Sequence, residues 1–330
     1  RDLVRSRGLG DVYKRQSTLT LGSGTYEGKT SFVSGTARNF AGTVALQNGH
    51  VLTLDSAQGL GASGSFQLGS GTALVINGDQ TGSLSKTVSG SGTVQLDASN
   101  VKVTADNSNF SGIWSVSSGS QLSAESSGGL TADAMLGTGM VNLVGQNDGL
   151  TIALAGTSET LDNAITGFGA LTVVSTANEN STFGFSKSWV EDSTFEGSMT
   201  LSSSGSGLVS FVVGANSSGA MNAGNLKDAD FTAGSGSLLV VESGGKTTTF
   251  NDLTFAGGNV SFGSSVAING GDAFGSLTIS GAISGSGNVA INIESGHTTD
   301  ALANTGVVAA ANNKDASVSY THLRAHATVL

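Results

Sequence analysis

The chain has 330 residues, with 50 Gly, no Pro, no Cys and a formal net charge of −10. Ordinary usage gives about 16 prolines at this length, and glycine-rich disordered linkers normally contain proline. The missing proline, together with 38% hydrophobic residues, therefore favours a folded body over disorder. The lack of cysteine excludes disulfides, thiolate metal sites and thiol nucleophiles.

The two ends differ from the rest of the chain. Five of the 14 basic residues fall within residues 1–16, and the segment VSYTHLRAHATVL from Val318 contains two of the four His. Both ends resemble translated sequencing-adapter sequence at the edges of environmental genes. We therefore treat residues 1–16 and 317–330 as artefactual or disordered tails and expect the natural start to be missing, because residue 1 is Arg.

The body, residues 17–316, is acidic, with eight basic and 22 acidic residues and Arg38 as its only arginine. Phosphate binding needs clustered Lys and Arg, so this composition argues against nucleic acid and against anionic membranes as partners. The sequence contains no run of 18 apolar residues, so it predicts no membrane-spanning helix.

Short runs of alternating apolar residues recur along the body, and a period of two predicts strands. In chain order they are Leu19/Leu21, Val44/Leu46, Leu52/Leu54, Leu74/Ile76, Val94/Leu96, Val101/Val103, Val141/Leu143, Ile152/Leu154, Leu171/Val173, Val260/Phe262, Leu277/Ile279 and Val289/Ile291/Ile293. Clusters of Gly, Ser, Asn and Asp between them predict turns. The nearest helical candidate, residues 298–313, is alanine-rich but broken by Gly306, so we expect helix to be minor or absent.

The body also repeats itself. The segment from Phe40 matches the segment from Phe110 without gaps, and seven of 22 positions are identical. The identical positions are Phe40/Phe110, Gly42/Gly112, Gly49/Gly119, Leu52/Leu122, Ser56/Ser126, Gly59/Gly129 and Leu60/Leu130. A unit of about 20 to 25 residues cannot bury its apolar face alone, but units stacked about 4.8 Å apart share one core. We expect Leu52 and Leu122 to be equivalent core positions, with Thr53 and Ser123 facing outward.

The repeat resembles a known family. Phe110-Ser-Gly, the alternation Trp114/Val116, Gly119, Leu122 and Gly129-Leu130 resemble the autotransporter-associated β-strand repeat in passenger domains of type V secreted proteins. The resemblance covers most of the body, with two clear copies. It implies a right-handed parallel β-helix, a signal peptide upstream, an outer-membrane barrel downstream, and no catalytic residues.

Several glycine motifs resemble dinucleotide-binding or phosphate-binding loops, but each of them departs from the pattern that such a loop requires. Gly59 to Gly64 matches G-x-G-x-x-G but precedes a strand pattern rather than a helix, so we predict a turn. Gly28-Lys29-Thr30 and Gly245-Lys246-Thr247 lack the earlier glycine of a phosphate-binding loop.

The residues that could carry catalysis are sparse. We expect His50 and His297 to be solvated loop residues, and the acidic groups Glu191-Asp192-Glu196 and Asp228/Asp230 to be solvated charge. Trp114 is expected to pack in the core, whereas Trp189 is left undecided. The sequence thus predicts no catalytic, cofactor-binding or metal-binding residues and no cofactor.

The sequence therefore predicts an all-β, single elongated domain over residues 17–316, folded as a parallel β-helix (β-solenoid). The expected function is a non-enzymatic stalk or adhesin segment of an autotransporter, exported to the cell surface or secreted from a Gram-negative bacterium. Its expected partners are a second copy of itself, or a host or surface glycan or protein, with membrane contact only through the absent barrel. The alternatives are a β-helical carbohydrate-active enzyme whose acidic residues converge in a groove, and a phage or surface-layer fibre repeat.

Overall fold

The computed structural model describes residues 18–22, 28–32, 40–156, 158–185, 195–213, 226, 228–241, 247–262, 276–287, 289–291 and 308–310. The described chain is an all-β protein built from long parallel sheets, with one helix of five residues. None of the described helical structure is long and apolar enough to cross a lipid bilayer. The chain divides into two compact units, Arg1–Leu150 and Thr151–Leu330.

The first unit contains strands β1 to β13, which are three to five residues long, and helix α1. Their bounds are β1 (Thr18–Leu21), β2 (Lys29–Phe32), β3 (Thr43–Leu46), β4 (Val51–Leu54), β5 (Ser65–Leu68), β6 (Ala73–Asn77), β7 (Gly82–Leu84), β8 (Thr87–Gly90), β9 (Thr93–Asp97), β10 (Asn100–Val103), β11 (Ile113–Ser117), β12 (Gln121–Glu125), α1 (Ala132–Leu136) and β13 (Met140–Leu143).

The second unit contains the remaining strands, of which β14 begins two residues before the boundary. Their bounds are β14 (Gly149–Leu154), β15 (Glu159–Leu161), β16 (Ile165–Gly167), β17 (Ala170–Ser175), β18 (Ser181–Phe185), β19 (Ser198–Ser203), β20 (Val209–Val213), β21 (Asp230–Gly234), β22 (Ser237–Val241), β23 (Thr247–Phe250), β24 (Leu253–Ala256), β25 (Asn259–Phe262), β26 (Ser276–Ile279), β27 (Ile283–Ser286), β28 (Val289–Ile291) and β29 (Val308–Ala310).

Within the first unit the strands pair in three rows. Row A has the order β1-β3-β5-β8, row B the order β2-β4-β6-β9-β11-β13, and row C the order β7-β10-β12. From β5 to β10 successive strands visit row A, row B and row C in turn, and then repeat that cycle. Neighbours in a row are therefore one cycle apart in sequence, which is why they pair in parallel.

The second unit repeats this arrangement. Row D has the order β14-β17-β19-β21-β24-β27, row E the order β15-β18-β20-β22-β25-β28, and row F the order β23-β26-β29. The described strand partners in these rows are parallel as well. From β21 to β29 the chain passes through the three rows in a constant order, with a strand of row D first, then row E and then row F.

The pairing register aligns the apolar faces of neighbouring strands. In row B, Leu52 lies opposite Leu74, which lies opposite Val94, then Trp114 and then Val141. All five side chains are buried. Because alternate residues of a strand point to opposite faces, this register keeps every apolar set on the inner side. The predicted strand at each alternating pair is confirmed, apart from Ile293, which lies outside the described residues.

The expected equivalence of Leu52 and Leu122 is wrong in one respect. Both side chains are fully buried and their neighbours Thr53 and Ser123 are only partly so, as predicted. Leu52 nevertheless lies in β4 of row B, whereas Leu122 lies in β12 of row C. The sequence match therefore aligns strands of two different rows.

Tight turns move the chain from one row to the next. Asn48 and Gly49 both have positive φ, 51° and 70°, and the His50 amide donates to the Gln47 carbonyl at 3.1 Å. Two such residues normally close a β-hairpin. Here the strands before and after the turn, β3 and β4, lie in rows A and B and do not pair. The predicted turn is confirmed, and its role is to change rows.

Helix α1 has a local signal at each end that the sequence analysis did not use. The Thr131 hydroxyl accepts a hydrogen bond from the Ala134 amide at 3.1 Å, and Gly137 with φ 76° ends the helix. The Thr131 hydroxyl is a standard N-cap, and the positive φ of Gly137 favours glycine at that position. Ala132, Met135 and Leu136 form its buried face. In the alanine-rich segment 298–313, the described residues Val308–Ala310 form a strand.

Phenylalanines fill the core of the second unit. Phe211 of row E stacks on Phe231 of row D with ring centroids 5.8 Å apart, and Phe231 stacks on Phe250 of row F at 4.9 Å. Phe183 and Phe185 make edge contact with each other at 5.0 Å. Because the stacked rings come from all three rows, rows D, E and F share one interior within this unit.

Candidate functional site

The glycine motifs are turns and strand residues. Gly61 and Gly64 have φ of 90° and 99°, the Gly59 amide donates to the Ser56 carbonyl at 2.8 Å, and strand β5 follows directly. The turn prediction for this segment is confirmed. Lys29 and Thr30 belong to strand β2. Thr247 begins β23, while Gly245 and Lys246 lie outside the described residues.

The prediction of a solvated His50 is wrong. The side chain is only 7% exposed and lies at the turn between β3 and β4, where its Nε2 is 2.9 Å from the Thr30 hydroxyl oxygen. The ring lies against Gly28, so closely that a Cβ at this glycine would overlap it. The buried Nδ1 has no hydrogen-bond partner among the described residues. His297 lies outside them.

The acidic groups are placed on the surface where the structure describes them. Asp228, Asp230 and Glu196 are exposed, and Asp230 Oδ1 accepts a hydrogen bond from Asn251 Nδ2 at 2.8 Å. Glu191 and Asp192 lie outside the described residues. Over the described part of the chain, no three His, Cys, Asp or Glu side chains are grouped so that they could hold a metal ion.

Trp114 packs in the core, as predicted. Its side chain is fully buried, and the indole Nε1 donates to the Leu136 carbonyl at 2.8 Å. The Phe110 ring meets the indole edge to face, with centroids 5.5 Å apart and an interplanar angle of 74°. This side chain therefore ties β11 to the end of helix α1 and is unavailable as a carbohydrate platform. Trp189 lies outside the described residues.

Two further buried polar residues were missed by the sequence analysis. Asn107 is fully buried, accepts from the Val88 amide at 2.7 Å and donates to the Met135 carbonyl at 2.6 Å. Lys86 is 1% exposed, and its Nζ donates to the Phe40 carbonyl at 2.9 Å. Lys86 lies between β7, which ends at Leu84, and β8, which begins at Thr87, so strand alternation gives no signal for its burial.

The environment of Lys86 disfavours its charge. Removal from water lowers the pKa of its ammonium group below the usual value of 10.5. The Nζ also lies 6.0 Å from the centre of the Phe66 ring, within the range of a cation–π contact. By contrast Lys102 forms an exposed ion pair with Glu125, which at the surface contributes about 0 to 1 kcal/mol.

Replacing Lys86 by Met is expected to remove a pH dependence of stability. Because the pKa of Lys86 is lower in the folded chain, the unfolded chain binds more protons between the folded pKa and 10.5, so wild-type stability rises with pH through that window. Lys86→Met lacks this contribution, so the stability of wild type relative to Lys86→Met is expected to rise between pH 7 and pH 10.5. Urea denaturation across this range measures the difference. Lys102→Met is the exposed control, and a constant difference between wild type and Lys86→Met would contradict the burial of the amine.

Comparison with protein-family models, with curated proteins and with solved structures found no match for this chain.

Proposed function

We propose that this chain is a segment of an autotransporter passenger whose role is structural: a parallel β-solenoid that serves as a rigid stalk or adhesin at the cell surface. The observation that carries the proposal is the repeated passage of successive strands through three parallel rows. A chain that returns to the same row every third strand coils around one core. In this proposal the coil is right-handed and residues 17–316 form one elongated domain.

The inner and outer faces support a scaffold role. One inward column of row B is completely buried, so every added turn extends the same core. It consists of Leu54, Ile76, Leu96, Val116 and Leu143. Each turn of such a coil contacts only the turns beside it, which lets length grow without a change of fold. The type V secretion assignment rests on the repeat residues from Phe110 to Leu130.

A second candidate function, a carbohydrate-active enzyme, requires carboxylates that converge in a groove. Two of the described acidic residues are used differently. Asp148 accepts three backbone amides, and Asp79 accepts the Ala57 amide at 2.8 Å. These carboxylates stabilise turns, which favours the scaffold over the enzyme.

The proposal is tested by displaying the chain on a non-adherent Gram-negative bacterium, fused to an unrelated outer-membrane anchor. We expect aggregation of the cells or attachment to a surface, with no hydrolysis or lyase activity on a panel of polysaccharides. The matched control is the same fusion with Trp114→Ala, which damages the core. Polysaccharide cleavage that is lost in the control would favour the enzyme.

A second measurement tests the scaffold without any ligand. Small-angle X-ray scattering of the purified chain is expected to give the profile of a rod. The length of the rod should correspond to about 4.8 Å for each turn of the chain. A profile typical of a sphere would contradict the solenoid, and with it the stalk.

A further inference from the structure

A column of five residues stands where the chain leaves row B. Ala57 follows β4, Asp79 follows β6, Ser99 follows β9, Ser120 follows β11 and Asp148 follows β13. We call these five residues the corner column. Asp79 is half-buried and the other four are buried. Since the chain turns here, the backbone groups of these residues lie outside the strand ladders and need other partners.

Side chains of the corner column supply the partners for its amides. The Ala57 amide donates to Asp79 Oδ2 at 2.8 Å, and the Asp79 amide donates to Ser99 Oγ at 3.1 Å. The Ser99 amide donates in turn to Ser120 Oγ at 3.0 Å, and the Ser120 amide to Asp148 Oδ1 at 3.1 Å. In all four bonds the acceptor side chain belongs to the later residue in the sequence.

The carbonyl groups of the column are satisfied in a different way. The Asn100 amide donates to the Asp79 carbonyl at 2.6 Å, the Gln121 amide to the Ser99 carbonyl at 2.9 Å, and the Gly149 amide to the Ser120 carbonyl at 2.9 Å. These bonds join backbone to backbone and are independent of side-chain identity. The amides of Ala57, Asp79 and Ser99 depend on which residue occupies the next corner, whereas the Ser120 amide also donates to the Ser117 carbonyl at 3.2 Å.

Asp148 ends the column and accepts from more backbone amides than any other side chain of the column. Its Oδ1 accepts from the Gly119 amide at 2.7 Å and from the Ser120 amide, while its Oδ2 accepts from the Gly145 amide at 2.6 Å. A carboxylate is a stronger acceptor than a hydroxyl. The Ser120 amide therefore has a stronger side-chain acceptor than the Asp79 and Ser99 amides, which donate to hydroxyls.

We infer that the corner column couples successive turns of the chain in one direction: the amide of each corner residue is protected by a side chain of the turn that follows it in sequence, and no corner side chain bonds an amide of a later corner. The side chains of Gln80 and Gln121 do reach the following turn, at the Ala98 and Asn147 carbonyls, but they bond carbonyls rather than amides. A side chain removed at one corner exposes the amide of the preceding corner. The following corner keeps its own acceptor and its backbone bond. This inference concerns the first unit alone and does not depend on the proposed surface function.

Amide hydrogen exchange of the full chain, resolved by NMR, tests the direction. In Ser120→Ala the Ser99 amide loses its acceptor, so its exchange rate is expected to rise about tenfold or more. The amides of Ser120 and Gly149, which donate to Asp148 and to the Ser120 carbonyl, are expected to keep their rates within about threefold. Ser123→Ala, a change at a partly exposed strand position, is the control and should alter neither set.

A second variant repeats the test one turn earlier. In Ser99→Ala the Asp79 amide is expected to exchange faster while the Gln121 amide is unchanged, because Gln121 donates to a backbone carbonyl. Equal acceleration on both sides of the altered corner, in either variant, would overturn the inference. So would an unchanged rate at the preceding amide. The two variants report independently, so unfolding of one leaves the other as the test.

Discussion

Replacing Trp114 by Ala is expected to destabilise the folded chain by about 3 to 5 kcal/mol, since the change removes a buried aromatic side chain and leaves a cavity. The indole is fully buried and lies between Val94 and Val141 of the neighbouring strands. Its loss also removes the edge contact with Phe110 and the bond to the Leu136 carbonyl. Urea denaturation followed by circular dichroism measures the loss.

Trp114→Phe separates the packing from the hydrogen bond. Phenylalanine keeps most of the apolar area but leaves the Leu136 carbonyl without its donor, which is expected to cost about 1 to 3 kcal/mol. Helix α1 has five residues and cannot be stable alone. Exchange at its Met135 and Gly137 amides, which donate to Thr131 and Asp133, should therefore rise in both variants. A loss below about 1 kcal/mol in Trp114→Ala would contradict a core position.

The strands of this protein could be predicted from the sequence because their signal is local. Val101 and Val103 are separated by Lys102, and their outer neighbours Asn100 and Thr104 are polar as well. A strand with one buried face must show such alternation wherever it lies in the fold. The turns could be predicted for the same reason, since Asn48-Gly49 specifies its own backbone geometry.

The row to which each strand belongs could not be predicted. Strands of row B begin at Val51, Ala73, Thr93, Ile113 and Met140, so the length of one cycle varies. The rows offer similar environments, each with a buried apolar face and a turn rich in glycine and serine. The match from Phe40 to Phe110 therefore aligned Val44 of row A with Trp114 of row B, where the local requirements are alike.

The buried polar residues were beyond sequence reasoning because their partners lie far along the chain. His50 meets Thr30, 20 residues earlier, and Lys86 meets the Phe40 carbonyl, 46 residues earlier. A polar side chain is buried only where such partners exist. Which partners a side chain meets depends on the pairing register of the strands. That register is known only once each strand has been assigned to its row.

A second large loss of stability is expected at Leu122, because this residue lies on the inward face of its strand. This side chain is fully buried in β12, opposite Val101, so Leu122→Ala is expected to cost about 2 to 5 kcal/mol through the cavity it leaves. Ser123 lies opposite Lys102 on the outer face. Ser123→Ala is therefore expected to change stability by no more than about 0.5 kcal/mol.

Leu52 and Thr53 provide a matched pair of variants in row B. Leu52 is as deeply buried as Leu122, and Thr53 is as partly exposed as Ser123, although the two strands lie in different rows. If burial rather than row membership sets the cost, Leu52→Ala and Leu122→Ala should lose similar stability while Thr53→Ala and Ser123→Ala lose little. Chemical denaturation of the four variants decides the question. Equal losses within either strand, or a larger loss at the serine or threonine, would mean that the faces are assigned the wrong way round.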